Sequence, residues 1–153
     1  IIIYAVPNGL VHTFAWKQYE YDVGGIRIKA SPDDVVIDAG GCYGETALYF
    51  SELVGSKGTV YTFEFIPNNI RFLNVNLDLN PELKQRIQII DKPLWSAMNI
   101  PVYFVDKGPG SRVAFERFEN CLQTQTTSCA GGCCADNHEI QAEVSHRSLP
   151  SLV

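Results

Sequence analysis

The chain has 153 residues, a formal net charge of −5 and a hydrophobic fraction of 46%, which fits one modest domain around one core. Its acidic balance argues against a general nucleic-acid binder, which would show a basic face. The apolar opening (Ile1, Ile2, Ile3, Tyr4, Ala5, Val6) is cut by Pro7, far short of the ~20 residues a membrane span needs. It also lacks the basic start and cleavage pattern of a signal peptide. With no initiator Met, the sequence reads as a fragment or as the ordered part of a longer product.

Residues 1–30 are aromatic-rich, and Gly24-Gly25 separates two β-prone runs at 19–23 and 26–30. That pattern predicts a β-hairpin packed on a main sheet, with Trp16 and the tyrosines as core or lid residues. Ser31-Pro32-Asp33-Asp34 is a turn. Val35, Val36 and Ile37 then predict a short buried parallel strand ending at Asp38. A loop with glycines at 40, 41 and 44 leads into a helix through Leu48, Phe50 and Leu53 that stops near Gly55. A second apolar run at 59–63 ends at Glu64. Pro67 suits the first turn of a second helix, which ends before Asn80-Pro81. A third run at 86–90 ends at Asp91. Strand, helix, strand, helix, strand at short loop lengths predicts a Rossmann-like parallel α/β sheet with right-handed crossovers.

The pattern changes after residue 95. Residues 100–105 are strand-like, 106–111 form a turn, and 112–115 are placed to pair back. Residues 119–138, rich in Thr, Gln, Gly and Cys, read as a loop. Residues 139–144 alternate apolar and polar, as a strand with one wet face does, and 148–153 begin a helix. The organisation expected is therefore a leading hairpin segment, 1–30, followed by an α/β core, 31–153, that carries a Cys-rich loop at about 119–138.

Chemistry concentrates where three successive strands end, at Asp38, Glu64 and Asp91, since open parallel sheets bind ligands outside those ends. Glycines let a backbone approach a ligand closely, and the 40–44 loop amides are expected to point into the gap. A dinucleotide site places Gly-x-Gly-x-x-Gly directly after the strand, so that amides meet a pyrophosphate. Here a carboxylate, Asp38, stands there instead and would repel a phosphate. It suits a ligand with a cationic or hydroxyl-rich group, and S-adenosylmethionine has both. Glu64 lies twenty positions beyond Gly44, and its two oxygens suit a pair of ribose hydroxyls. Asp91 is placed to accept from an adenine amino group, with Phe65 or Ile66 on the ring face. As a lone acid at a strand end, Asp91 equally fits a helix cap or solvated tip.

Cysteine usage points to a reducing, cytoplasmic compartment: the number is odd, five, and four crowd one polar segment. Cys121, Cys129, Cys133, Cys134 and His138 offer soft ligands enough for zinc. Paired Cys-x2-Cys knuckles are absent, however, and the segment reads as an insertion with exposed thiols and no metal. Cys42 sits near a helix N-terminus, which would lower a thiol pKa, but no partner histidine is recognisable.

The run from Val35 to Thr46 and the run from Val60 to Pro67 resemble the first two motifs of class I S-adenosylmethionine-dependent methyltransferases. More narrowly, they are similar to the FkbM family, which methylates hydroxyl groups. Residues 89–95 resemble that family's third-strand end, 108–111 its small turn after an extra strand, and 144–152 the segment leading into its third helix. The resemblance implies S-adenosylmethionine as cofactor and a small-molecule or saccharide acceptor. It implies that Asp38, Gly40, Gly41, Cys42, Tyr43 and Gly44 hold the methionine part and ribose. Glu64 would hold the ribose hydroxyls, while Phe65 and Asp91 would flank the adenine. Many family members carry Asn where Cys42 stands, and the family's later strands have no counterpart before residue 153. Two other readings stay open: a non-catalytic binding domain on the same core, and a nucleotide-dependent oxidoreductase.

Overall fold

A computed structural model describes residues 1–127. An extended opening leads into α1 (Pro7–Leu10), which starts on a proline and continues as a π-helical turn at Val11–Ala15. Helical structure in this stretch was not legible, because its apolar residues follow no sustained period. The hairpin forms from β1 (Tyr21–Val23) and β2 (Ile26–Ile28), antiparallel about Gly24 and Gly25, both at positive φ. It does not pack on the main sheet as the sequence predicts. It is a separate two-stranded sheet whose six residues are all exposed. Trp16 is likewise 70% exposed and stacks on His12, so it is no core residue. Polar anchorage holds the hairpin instead. Glu20 accepts from Tyr49 Oη at 2.8 Å and from Arg27 Nη2 at 3.0 Å, and Tyr19 packs edge-on against Phe50.

The predicted parallel sheet forms from β3 (Val35–Ala39), β4 (Thr59–Phe63) and β5 (Ile87–Ile90), in the order β3-β4-β5. Between these strands run α2 (Glu45–Val54), α3 (Pro67–Asp78) and the short α4 (Pro81–Lys84). Right-handed crossovers that advance in one direction place successive helices on one face. The core therefore lies on that face: Leu48 and Val54 of α2 and Leu73 and Leu77 of α3 close over Val60 and Ile87. Burying each such side chain stabilises the fold by roughly 2 kcal/mol. On the opposite face, β3 is open among the described residues. Val35 is 56% and Ile37 50% exposed, so β3 is not the fully buried strand that its β-branched run suggests.

The extended opening is tied down by two asparagines one helical turn apart. Asn76 accepts from Tyr4 N and donates to Tyr4 O and to Tyr43 O. Asn80 accepts from Ile2 N and donates to Ile2 O and to Asn76 O.

A second sheet, antiparallel, follows. Strand β6 (Pro101–Val105) lies between β7 (Arg112–Ala114) and β8 (Leu122–Gln125). Strand β8 corrects the expectation of a loop from 119 onward. Its Leu-Gln-Thr-Gln sequence has weak intrinsic preference, and pairing to β6 along Pro101–Phe104 supplies what propensity does not. The acid Asp106, beyond β6, accepts from Asn68 N at 2.9 Å and so caps α3. Cys129, Cys133, Cys134, His138, the 139–144 strand and the 148–153 helix lie outside the described residues. No helix among the described residues is long and apolar enough to cross a membrane.

Candidate functional site

At the end of β3, Asp38 is 6% exposed. Parallel register sets it opposite Thr62, and Oδ2 accepts from Thr62 Oγ1 and from Thr46 Oγ1, both at 2.8 Å. Burial pushes its carboxyl above the ordinary carboxylate range despite these two hydroxyls. The arrangement joins β3, β4 and the first turn of α2. Asp38 does not line the adjacent cavity; its two hydroxyl contacts make it an internal tie between these elements.

The 40–44 loop also differs from expectation. Four of its five amides are turned to protein acceptors. Gly40 N and Gly41 N both donate to Phe63 O at 3.0 Å, Cys42 N donates to Glu64 Oε2 at 2.9 Å, and Gly44 N donates to Gly41 O at 2.7 Å. A Cβ on Gly41 would collide with Thr62 Oγ1 and stand 3.2 Å from Leu73. Glycine is thus required at 41 by close packing of the loop on β4 and α3, not by a ligand. Four of the five loop amides, those of Gly40, Gly41, Cys42 and Gly44, thus serve protein acceptors. Cys42 faces the cavity, but burial and nearby Glu45 push its thiol up to about 11. It is therefore a thiol, not a nucleophilic thiolate, at neutral pH.

Glu64 ends β4 and is also 6% exposed. Its Oε1 accepts from Phe65 N at 2.7 Å and Ile66 N at 2.9 Å, and its Oε2 accepts from Cys42 N and from Asn69 Nδ2 at 3.1 Å. One carboxylate therefore fixes the glycine loop, the turn after β4 and the first turn of α3.

The cavity beside it, of about 460 Å³, has the size of a small-ligand site. Gly40, Cys42, Glu64, Phe65 and Asn69, from the ends of β3 and β4 and the start of α3, line it. Pro93, Trp95, Phe115 and the Gly108-Pro109 turn line it as well. Trp95 and Phe115 pack at 4.6 Å between ring centroids, and Phe65 stands edge-on to Phe104 at 5.3 Å. Of the predicted site residues, Gly40, Cys42, Glu64 and Phe65 meet here. Asp38, Gly41, Tyr43, Gly44 and Asp91 do not line it. Asp91 is exposed just past β5; partial burial and nearby Glu64 raise its carboxyl. Tyr43 packs on Phe72 instead. Asn69, Trp95 and Phe115 were missed. Asn69 follows Pro67 closely and is recognisable as a first-turn polar residue, whereas the aromatic pair spans twenty residues and is joined only by tertiary pairing.

No family model matches the chain, and neither does any curated protein. Solved structures do. A protein described as an rRNA methylase from Clostridium thermocellum is 23% identical over 59% of this chain and 43% of its own, with a TM-score of 0.42. Fibrillarin from Aeropyrum pernix, determined with natively bound S-adenosyl-L-methionine, is 26% identical over 43% of this chain and 27% of its own, at 0.38. A protein described as an O-methyltransferase from Klebsiella pneumoniae is 14% identical over 57% of this chain, at 0.36. The chain spans 43%, 27% and 34% of these three chains. All three TM-scores are below 0.5, and the α/β class stands on the strand order and crossovers described above.

Proposed function

We propose that the protein binds S-adenosylmethionine in this cavity and transfers its methyl group to a hydroxyl of a small molecule or saccharide, as a class I, FkbM-like O-methyltransferase. One observation carries the reading: the cavity at the ends of β3 and β4 joins a buried carboxylate to aromatic walls, and the amides of Gly40, Gly41, Cys42 and Gly44 serve protein acceptors and not a phosphate. That combination suits an adenosine with a cationic tail and disfavours a dinucleotide. Trp95, Phe115 and Phe65 suit the base; Glu64 and Asn69 suit the sugar.

When bound, the sulfonium supplies an already activated methyl group. What falls to the chain is to hold and orient the reactants and to exclude water from the cavity, and positioning of this kind supplies much of such a rate. The free thiols at Cys42 and Cys121 fit a reducing, cytoplasmic compartment.

A second reading, a binding domain without catalysis, is favoured by one feature. Among the described residues the ionisable side chains on the cavity wall are Glu64 and Cys42. The first is enclosed by N–H donors and the second is held as a thiol, so neither is placed as a general base. Calorimetry with S-adenosylhomocysteine separates the possibilities. Saturable micromolar binding supports the cofactor reading, and no heat at high micromolar ligand removes it. Preferential binding of a nicotinamide dinucleotide would select an oxidoreductase. Binding without methyl transfer to any of a panel of hydroxylated acceptors would select the non-catalytic domain.

A further inference from the structure

One buried side chain of α3 holds both the extended opening and the glycine loop. Asn76 is fully buried and does not line the cavity. Its Oδ1 accepts from Tyr4 N at 2.7 Å, and its Nδ2 donates to Tyr4 O at 2.8 Å and to Tyr43 O at 2.7 Å. Tyr43 stands in the glycine loop, directly after Cys42 of the cavity wall. The loop is therefore held at two neighbouring residues. Glu64 accepts from the Cys42 amide, and Asn76 donates to the Tyr43 carbonyl.

The opening sets which way the Asn76 amide points. Four residues of helix rise about 6 Å and two residues of extended chain about 6.6 Å, so Asn76 and Asn80 match alternate residues, Tyr4 and Ile2. The N–H and C=O of Tyr4 face Asn76 together. One orientation of the amide satisfies both, with its oxygen on the N–H and its amino group on the C=O. The second amino hydrogen is then left for Tyr43 O. Detaching the opening leaves two of these three hydrogen bonds unmade in a buried side chain, a cost that turning the amide toward water relieves. Turning it also releases Tyr43 O.

Little else holds the opening. Ile2 and Tyr4 are 65% and 64% exposed, and Ile3 is the residue among the first four that packs against the core. A segment with few buried apolar contacts opens at small cost. Further along, Gly9 of α1 backs so closely on α2 that a Cβ would stand 2.8 Å from Oε1 of Glu45, the residue after Gly44. The opening stretch thus bears on the loop twice, through Asn76 at Tyr43 and directly at Glu45.

We propose that Asn76 is a positioning residue for the ligand site. Docking of residues 2–4 orients its amide, the amide holds the Tyr43 carbonyl, and the 40–44 loop is thereby kept in the form that binds the ligand. Detachment of the opening lowers affinity, and a bound ligand in return tightens the opening. The inference rests on the cofactor reading above and assigns no contact to the ligand itself.

The test is calorimetry of the full chain with S-adenosylhomocysteine, native and as Tyr4→Pro and Tyr4→Ala. Proline deletes the N–H that Asn76 accepts and fits an extended chain, whereas alanine keeps both backbone groups and removes an exposed ring. Tyr4→Pro should bind roughly 2- to 10-fold more weakly than the native chain, the worth of one hydrogen bond, and Tyr4→Ala as tightly. Hydrogen exchange supplies the reciprocal readout. Saturating ligand should slow exchange at the Ile2 and Tyr4 amides of the native chain by a similar factor, and Tyr4→Pro should lose the effect at Ile2. If Tyr4→Pro fails to fold by circular dichroism, Ile2→Pro, which removes the N–H to Asn80, takes its place with exchange read at Tyr4. Native affinity in the proline variant, whatever its urea midpoint, makes the contact structural only and overturns the inference. So do equal losses in the proline and alanine variants, or exchange at Ile2 and Tyr4 that ignores the ligand; each of these leaves the cofactor reading standing. Absence of any binding by the native chain overturns the cofactor reading and this inference with it.

Discussion

The corners at the ends of β3 and β4 look alike in sequence and differ in what they do. Each is an acid after a run of strand-forming residues, and Asp38 and Glu64 are equally buried, at 6% exposed. Asp38 is satisfied by two hydroxyls on the core side of the sheet, away from the cavity. Glu64 gathers four N–H donors at the cavity wall, three of them from the backbone. The difference follows from their surroundings. Hydroxyls on β4 and α2 meet Asp38 because the parallel register puts Thr62 beside it, whereas Glu64 sits where three chain segments turn together and their amides converge. An acid at a strand end is therefore not by itself a ligand contact; the donors around it decide.

Substitutions can break this contrast, and the largest effect belongs to Glu64. Glu64→Ala leaves three backbone amides and the Asn69 amide without their acceptor, and is expected to cost about 3 kcal/mol or more, read as a lowered urea midpoint together with loss of S-adenosylhomocysteine binding. Gly41→Ala attacks the loop from its packed side, against Thr62 and Leu73; overpacking of that kind costs about 1–3 kcal/mol, with a correspondingly lower Tm. Thr62→Val removes one of the two donors to Asp38 and should cost about 1 kcal/mol, with ligand affinity changed far less than by Glu64→Ala. Equal losses of affinity from these two variants would erase the distinction between the corners.

The smallest effect is a pH dependence at Asp38. Its folded-state pKa lies above the ordinary value of 3.8, so the native state holds this proton more tightly than the unfolded chain does. That contribution is fully present below the ordinary value and is lost as pH rises through the folded value. Acidification from neutrality into this window should therefore favour the native chain more than it favours Asp38→Asn, whose side chain does not titrate. Urea midpoints measured across pH 4 to 7 check the sign, and parallel curves for the two proteins would place the burial effect elsewhere.

Much of the parallel half was legible because its signals are local. The β-branched runs, the glycines between them and Pro67 at a helix start each act within a few residues of chain, and strands, helices and their order follow from them. The hairpin position was legible for the same reason, through Gly24-Gly25, whereas its failure to pack was not. Strand β8 escaped because pairing with β6, not propensity, makes it a strand. The asparagines at 76 and 80 were visible only as a polar residue in a helix and one just past its end; that they grip the backbone of residues 2 and 4 depends on contacts more than seventy residues apart in sequence.

The sequence by itself determined the α/β order, the strand ends at which acids stand, and the region where a ligand site belongs, since periodicity and turn chemistry are properties of short stretches. Only the tertiary structure decided which acids reach the cavity, that four of the five loop amides are turned to protein acceptors, and that Asn69 carries an unpaired oxygen. Hydrogen-bond satisfaction is a property of every group that converges on an atom, and those groups come from strands, loops and helices that the chain brings together only when folded.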